Sequence, residues 1–235
     1  MPSYNLMTRL TSIFAFFCFC IFTFGASIDI TLNQSSSNSP GSTAINLSTQ
    51  GSIDWGIWMN NGANTTTLSE SMNGGTSLAN MSLLPGTSTT TNLFNNTENA
   101  YSWNNGTATP TGASALRPVS RVVPSVNGQG VKLVISVPSA GSYQLRMYTT
   151  TAQTNLKGTA TLAAGAVSGF ATGSLIADLQ KYTFNVDFET DGADTLTLDI
   201  EKVGGSNILS IEAFTLSQPE PTPHLSIDAN TSFNN

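Results

Sequence analysis

The residues best equipped for chemistry are indoles set beside amides. Trp58 is followed by Asn60 and Asn61, while Trp103, preceded by Tyr101, is followed by Asn104 and Asn105. An indole offers a flat apolar face on which the C–H faces of a sugar ring can stack, and carboxamides both donate to and accept from hydroxyls. Trp58, Asn60, Asn61, Tyr101, Trp103, Asn104 and Asn105 are therefore the candidate ligand contacts. Trp55 is expected to plug a core instead, sharing a strand face with Ile53 and Ile57, with Asp54 and Trp58 on the other face.

Catalysis has few candidates. The only histidine, His224, follows Pro219, Pro221 and Pro223 near the C-terminus, so neither a Ser-His-Asp arrangement nor a histidine metal site has plausible members. A glycosidase needs two carboxylates facing one cleft. Asp54, Glu70 and Glu98 are acids of the first half, and nothing in their spacing pairs them. No catalytic residue is expected. The run Asp187-Phe-Glu-Thr-Asp-Gly-Ala-Asp194 imitates the start of a calcium loop, with acids at alternate positions and a glycine sixth. Leu198 stands where the bidentate Glu should be and the flanks read as strands, so the expectation is a solvated hairpin turn without a cofactor. A structural calcium held by loop carbonyls stays open.

The elements that must carry these residues are strands. Val131, Leu133, Ile135 and Val137 alternate with Lys132, Val134 and Ser136, and Tyr143, Leu145 and Met147 with polar neighbours. The same period recurs at Tyr182, Phe184, Val186 and Phe188, and again at Leu196, Leu198 and Ile200. A last strand is expected over 207–216, with earlier ones over 27–32, 43–48 and 52–58. Period two in successive segments separated by Gly, Pro, Asn and Asp predicts an all-β, antiparallel, jelly-roll-like β-sandwich. A polar stretch over 60–115 reads as long loops broken by Leu83-Leu84 and Tyr101-Ser-Trp103. The one helix candidate is 172–180.

Residues 1–26 read as a signal peptide: Arg9, an apolar run from Leu10 to Phe24, then Gly25, Ala26 and Ser27. Cys18 and Cys20 both fall inside it, so a processed chain would hold no disulfide. Residues 27–217 form the single expected domain and 218–235 a proline-containing tail. The chain would then be secreted or displayed at the cell surface, with no membrane span after processing. Only 9% of residues are charged and the net charge is −6. Nucleic acid and anionic membrane surfaces, which need a basic patch, are poor candidate partners. Sequons begin at Asn33, Asn46, Asn64, Asn80, Asn95, Asn105 and Asn230, a number that a chain so rich in Asn, Ser and Thr produces by chance.

The ordered segments Asn46-Leu-Ser-Thr-Gln-Gly51, Ile53-Asp-Trp-Gly-Ile-Trp58 and Tyr101-Ser-Trp-Asn-Asn-Gly106, followed by the strands at 131–137 and 143–148, resemble secreted bacterial β-sandwich modules of the galactose-binding-like, carbohydrate-binding kind. Their pattern is D-W-x-x-W followed by S-W-x-x-G; where a histidine often separates the two tryptophans, this chain has Ile57. The resemblance spans about 45–217. It implies a jelly-roll sandwich and a non-catalytic role in binding carbohydrate or extracellular matrix. The rival expectation is a structural or adhesive surface protein that self-associates, or binds another protein, through strand edges.

Overall fold

A strand whose apolar residues fall at every second position can bury one face and wet the other, and two such sheets close a core between them. The computed structural model describes residues 26–35, 44–58, 66–68, 70–72, 77–89, 102–104, 120–152, 154–165, 167–171 and 179–219. The elements are β1 (Ser27–Ser35), β2 (Ala44–Asn46), the one-turn helix α1 (Leu47–Gln50), β3 (Asp54–Ile57), β4 (Glu70–Ser71), β5 (Ala79–Leu83), β6 (Ser88–Thr89), β7 (Ser102–Asn104) and β8 (Ser120–Val123). They continue with β9 (Gly130–Val137), β10 (Gly141–Ala152), β11 (Thr154–Leu162), β12 (Val167–Ala171), β13 (Leu179–Thr190), β14 (Asp194–Gly205) and β15 (Leu209–Ser217).

Two antiparallel sheets make a β-sandwich. The eight-stranded one runs β1-β13-β10-β15-β3-β4, with β8 also paired to β15 and β6 to β8. The five-stranded one runs β12-β11-β14-β9-β5. A separate two-stranded parallel pair joins β2 to β7. The inward residues expected from period two are all buried; Leu133, Ile135, Leu145, Met147, Phe184, Val186, Leu198 and Ile200 form one core with Trp58, Phe214 and Leu216. Tyr143 and Phe188 stack within it, ring centroids 5.2 Å apart.

Three expectations change. Residues 43–48 are not one strand: β2 ends at Asn46, whose side chain accepts from the Thr49 N–H at 3.1 Å and starts α1. The 60–115 stretch contains β4, β5, β6 and β7 rather than loops alone. In the helix candidate 172–180, Leu179 and Gln180 open β13 and the rest lies outside the described residues. The Asp187–Asp194 run is a hairpin, with Asp187 inside β13 and the Asp194 carboxylate accepting from the Thr195 N–H.

β11 and β12 were not foreseen. In β11 the inward positions include Gly158 and Ala160, which carry no apolar signal. A Cβ at Gly158 would lie 2.8 Å from two Phe184 ring carbons, so the missing side chain is the space the ring occupies.

The outer face of the five-stranded sheet is polar. Lys132 Nζ lies 3.6 Å from Asp199 Oδ1 and Lys157 Nζ 3.2 Å from Glu201 Oε1. Desolvation holds the Asp199 carboxyl above the usual carboxylate range, and the charge of Lys132 only partly counters it. The folded state therefore binds this proton more tightly than the unfolded chain, so Asp199 favours folding in acid and loses that contribution as pH rises through the carboxylate range. Asp199→Asn should melt higher than wild type at neutral pH, and the gap should close below about pH 3, where both states of the carboxyl are protonated. Thermal melts across that range check the sign.

Candidate functional site

The outer face of the eight-stranded sheet is half covered. β2, α1 and β7 lie over its β3–β15 side, where Ile45 and Leu47 pack onto Trp55, Ile57, Tyr148 and Ala213 as a second, smaller apolar cluster. α1 is short but pinned at both ends: Asn46 caps its start, and the Gly51 N–H donates to the Leu47 carbonyl at 2.7 Å. Gly51 is required by contact, since a Cβ there would stand 2.6 Å from the Asp54 carbonyl oxygen. The Tyr148 hydroxyl reaches up from the sheet and donates to Gln50 Oε1 at 2.5 Å. Burial raises the Tyr148 phenol, while the Thr215 hydroxyl and the Arg146 charge pull it partly back.

From under this cap outward the same face turns polar, and the strand registers order it into rows. Thr31, Asn185, Arg146, Thr215 and Trp55 succeed one another across β1, β13, β10, β15 and β3. One row along lie Asp29, Asp187 and Gln144, and the Gln144 amide donates to Asp187 Oδ1 at 2.7 Å. On the other side come Asn33, Thr183 and Tyr148. Asn185 and Thr215 are buried although they point away from the inter-sheet core, and Arg146 between them is half-buried. An apolar wall thus meets a floor of amide, guanidinium and hydroxyl groups. Such a boundary can take a ligand with one apolar side and a hydroxylated rim.

β15 also changes partner on this face. It pairs β3 through Ala213–Leu216 and β8 through Leu209–Ile211, with a bulge against β10 at the intervening Glu212. The Glu212 carboxylate is buried and accepts from the Thr150 hydroxyl. Bulges re-aim side chains, and here the bulge turns a carboxylate and Ala213 toward the same outer side.

The expected contacts fare differently. The Trp58 indole is not a stacking platform. It is 1% exposed, its ring centroid lies 5.5 Å from that of Phe214, and its Nε1 N–H donates to the Thr66 carbonyl at 3.2 Å. The alternation within β3 was foreseen correctly, with Trp55 and Ile57 on one face and Asp54 and Trp58 on the other, but Ile53, expected beside Trp55 and Ile57, precedes the strand and packs against the main core. It is the Trp58 face that turns into the main core, because β3 sits beside β15 and its neighbour Phe214. Trp55 is a core residue as expected, but of the smaller cluster beneath the cap. Asp54 is fully buried, with its carboxylate engaged by the Trp55 and Leu78 N–H groups and the Ser77 hydroxyl.

Trp103 and Asn104 belong to β7, where their backbones pair with Ile45 and Asn46 of β2. That places the second aromatic–amide segment within the cap and beside the first motif. Asn60, Asn61, Tyr101 and Asn105 lie outside the described residues. Arg146, Gln144 and Asn185 of the polar rows were not among the expected contacts, although they are outward residues of strands whose inward residues were read; Thr215 lies in the last strand, whose faces were not assigned.

No known family model matches the chain, and no curated protein matches it. Solved structures match part of the chain. One is a Paenibacillus cycloisomaltooligosaccharide glucanotransferase complexed with cycloisomaltoheptaose, at 18% identity and a TM-score of 0.31 over 57% of this chain and 17% of that one. The present chain thus spans 17% of that protein's length. Another is the CBM35 from Cellvibrio japonicus Abf62, at 15% identity and a TM-score of 0.25 over 40% of this chain and 73% of that one. A third is TmCBM61 in complex with β-1,4-galactotriose, at 14% identity and a TM-score of 0.29 over 60% of this chain and 88% of that one.

Proposed function

We propose that this chain is an exported, non-catalytic module that binds carbohydrate, free or as part of an extracellular polymer, on the outer face of its eight-stranded sheet. The observation that carries the reading is the juxtaposition of the β2–α1–β7 cap, which includes Trp103 and Asn104, with the row Asn185–Arg146–Thr215. In this reading Trp103 supplies the stacking ring, helped by Tyr101. Asn60, Asn61, Asn104 and Asn105 are the proposed amide contacts by residue type, and Gln144, Arg146 and Asn185 contribute from the polar sheet face. No nucleic acid, cofactor or metal enters.

The test is a glycan array followed by calorimetric titration of each hit with the secreted chain. Trp103→Ala and Arg146→Ala should each weaken binding about tenfold or more, equivalent to about 1.4 kcal/mol. Asp199→Asn, on the opposite sheet, should leave affinity unchanged. An array with no hit, or affinity that survives both substitutions, overturns the site.

A further inference from the structure

β5 is one of the two edge strands of the five-stranded sheet: its one strand neighbour among the described residues is β9. An edge exposes a row of N–H and C=O groups that can template pairing with another chain, and edge strands are ordinarily blunted by charge, proline or a cover. Ala79-Asn-Met-Ser-Leu83 contains neither charge nor proline. Ala79 and Met81 face the core, Asn80 and Ser82 point out and are exposed, and the exposed Leu78 precedes them. By its side chains alone, this is an unprotected edge.

The two outward residues are the first and third positions of a sequon, Asn80-Met81-Ser82. Period two, which buries Met81, presents the acceptor amide and the required hydroxyl on the same wet face. The other sequons in described strands differ. Asn46 is half-buried and its side-chain oxygen holds the Thr49 N–H at the start of α1. Asn33 is exposed on β1, but β1 lies against β11 and β12 of the facing sheet as well as pairing β13.

We infer that Asn80 is an N-glycosylation site whose glycan shields the β5 edge. In the transfer, the Asn80 side-chain nitrogen attacks the anomeric carbon of a lipid-diphosphate-linked oligosaccharide. The N–C bond forms, the C–O bond to the diphosphate breaks, the lipid diphosphate leaves and the amide gives up one proton. A folded strand has only to tolerate the product, and an exposed outward side chain on an edge does so without displacing any core atom. The inference rests on the export reading, since such transfer occurs in a secretory pathway.

The full chain should be secreted from a eukaryotic host as wild type, Asn80→Gln, Ser82→Ala and Ser82→Thr. Recovery in the medium scores export separately from occupancy. Peptide mapping should find Asn80 glycosylated in wild type and Ser82→Thr, and lacking its glycan in Ser82→Ala. The two variants without the glycan should form concentration-dependent oligomers by sedimentation while the two with it stay monomeric. Substitution is preferred to enzymatic removal, because an amidase would leave an aspartate that itself blunts the edge. Unmodified Asn80 in the secreted wild type overturns the site, and monomeric Asn80→Gln and Ser82→Ala overturn the shielding role.

Discussion

Trp58→Ala should lower folding stability by about 3–5 kcal/mol, the range for deleting a large buried aromatic. The indole is 1% exposed and packs at 5.5 Å on Phe214, which lies on the central strand β15. The core on both sides is rigid sheet, which limits how far neighbours can close on the void. The substitution also removes the donor to the Thr66 carbonyl. Trp58→Phe keeps most of the apolar area and should lose about 1–2 kcal/mol. Urea unfolding is the measurement, with a lower midpoint at an unchanged slope. Sugar affinity of the folded fraction should stay within about twofold, a shift of less than half a kcal/mol. A large loss of affinity at unchanged stability would return Trp58 to the ligand contacts.

Asp54→Ala is expected to remove about 3 kcal/mol, because its carboxylate holds two sheets to each other. Oδ2 accepts from the Ser77 hydroxyl and the Leu78 N–H, each at 2.7 Å, and Oδ1 accepts from the Trp55 N–H at 2.9 Å. Asp54 belongs to β3 of the eight-stranded sheet, while Ser77 and Leu78 lead into β5 of the five-stranded one. Alanine would leave three donors without this acceptor; the Trp55 N–H is buried, where an orphan costs more than the bond itself contributes, while Ser77 and Leu78 are partly open to water. Asp54→Asn retains an acceptor of similar shape and should lose roughly half as much. Ser77→Ala removes one donor and should cost about 1 kcal/mol. Equal stability of Asp54→Ala and wild type in urea would refute the stitch.

How much of this was legible varies with the physics of each segment. β9, β10, β13 and β14 announce themselves because their inward residues are large and their outward ones polar, so period two is strong. β15 reads less clearly: nearly every residue in it is buried, Glu212 and Thr215 included, because the cap covers one side and the core the other. β11 was invisible for the opposite reason, its inward Gly158 and Ala160 being too small to register. The face assignment of Trp58 and Trp55 could not come from alternation, which says which residues share a side but not which side is dry. That choice is made by Leu216, Thr215 and Phe214 across the strand pair, far away in sequence. The candidate site suffered likewise, because Arg146 and Asn185 become neighbours only through the β10–β13 register.

The order of assembly follows from the placement of β1. Its first residue, Ser27, stands opposite Glu189, 162 positions further along. Among the described strands, β1 has no sheet partner until β13 has been synthesised, and β3 waits longer still for its pairing with β15. Long-range pairings of this kind place a sandwich among slow folders, with closure in milliseconds to seconds rather than microseconds. A nascent chain built this way stays open until it is nearly whole, and a truncation that removes β15 would leave β3 and β8 without their shared partner.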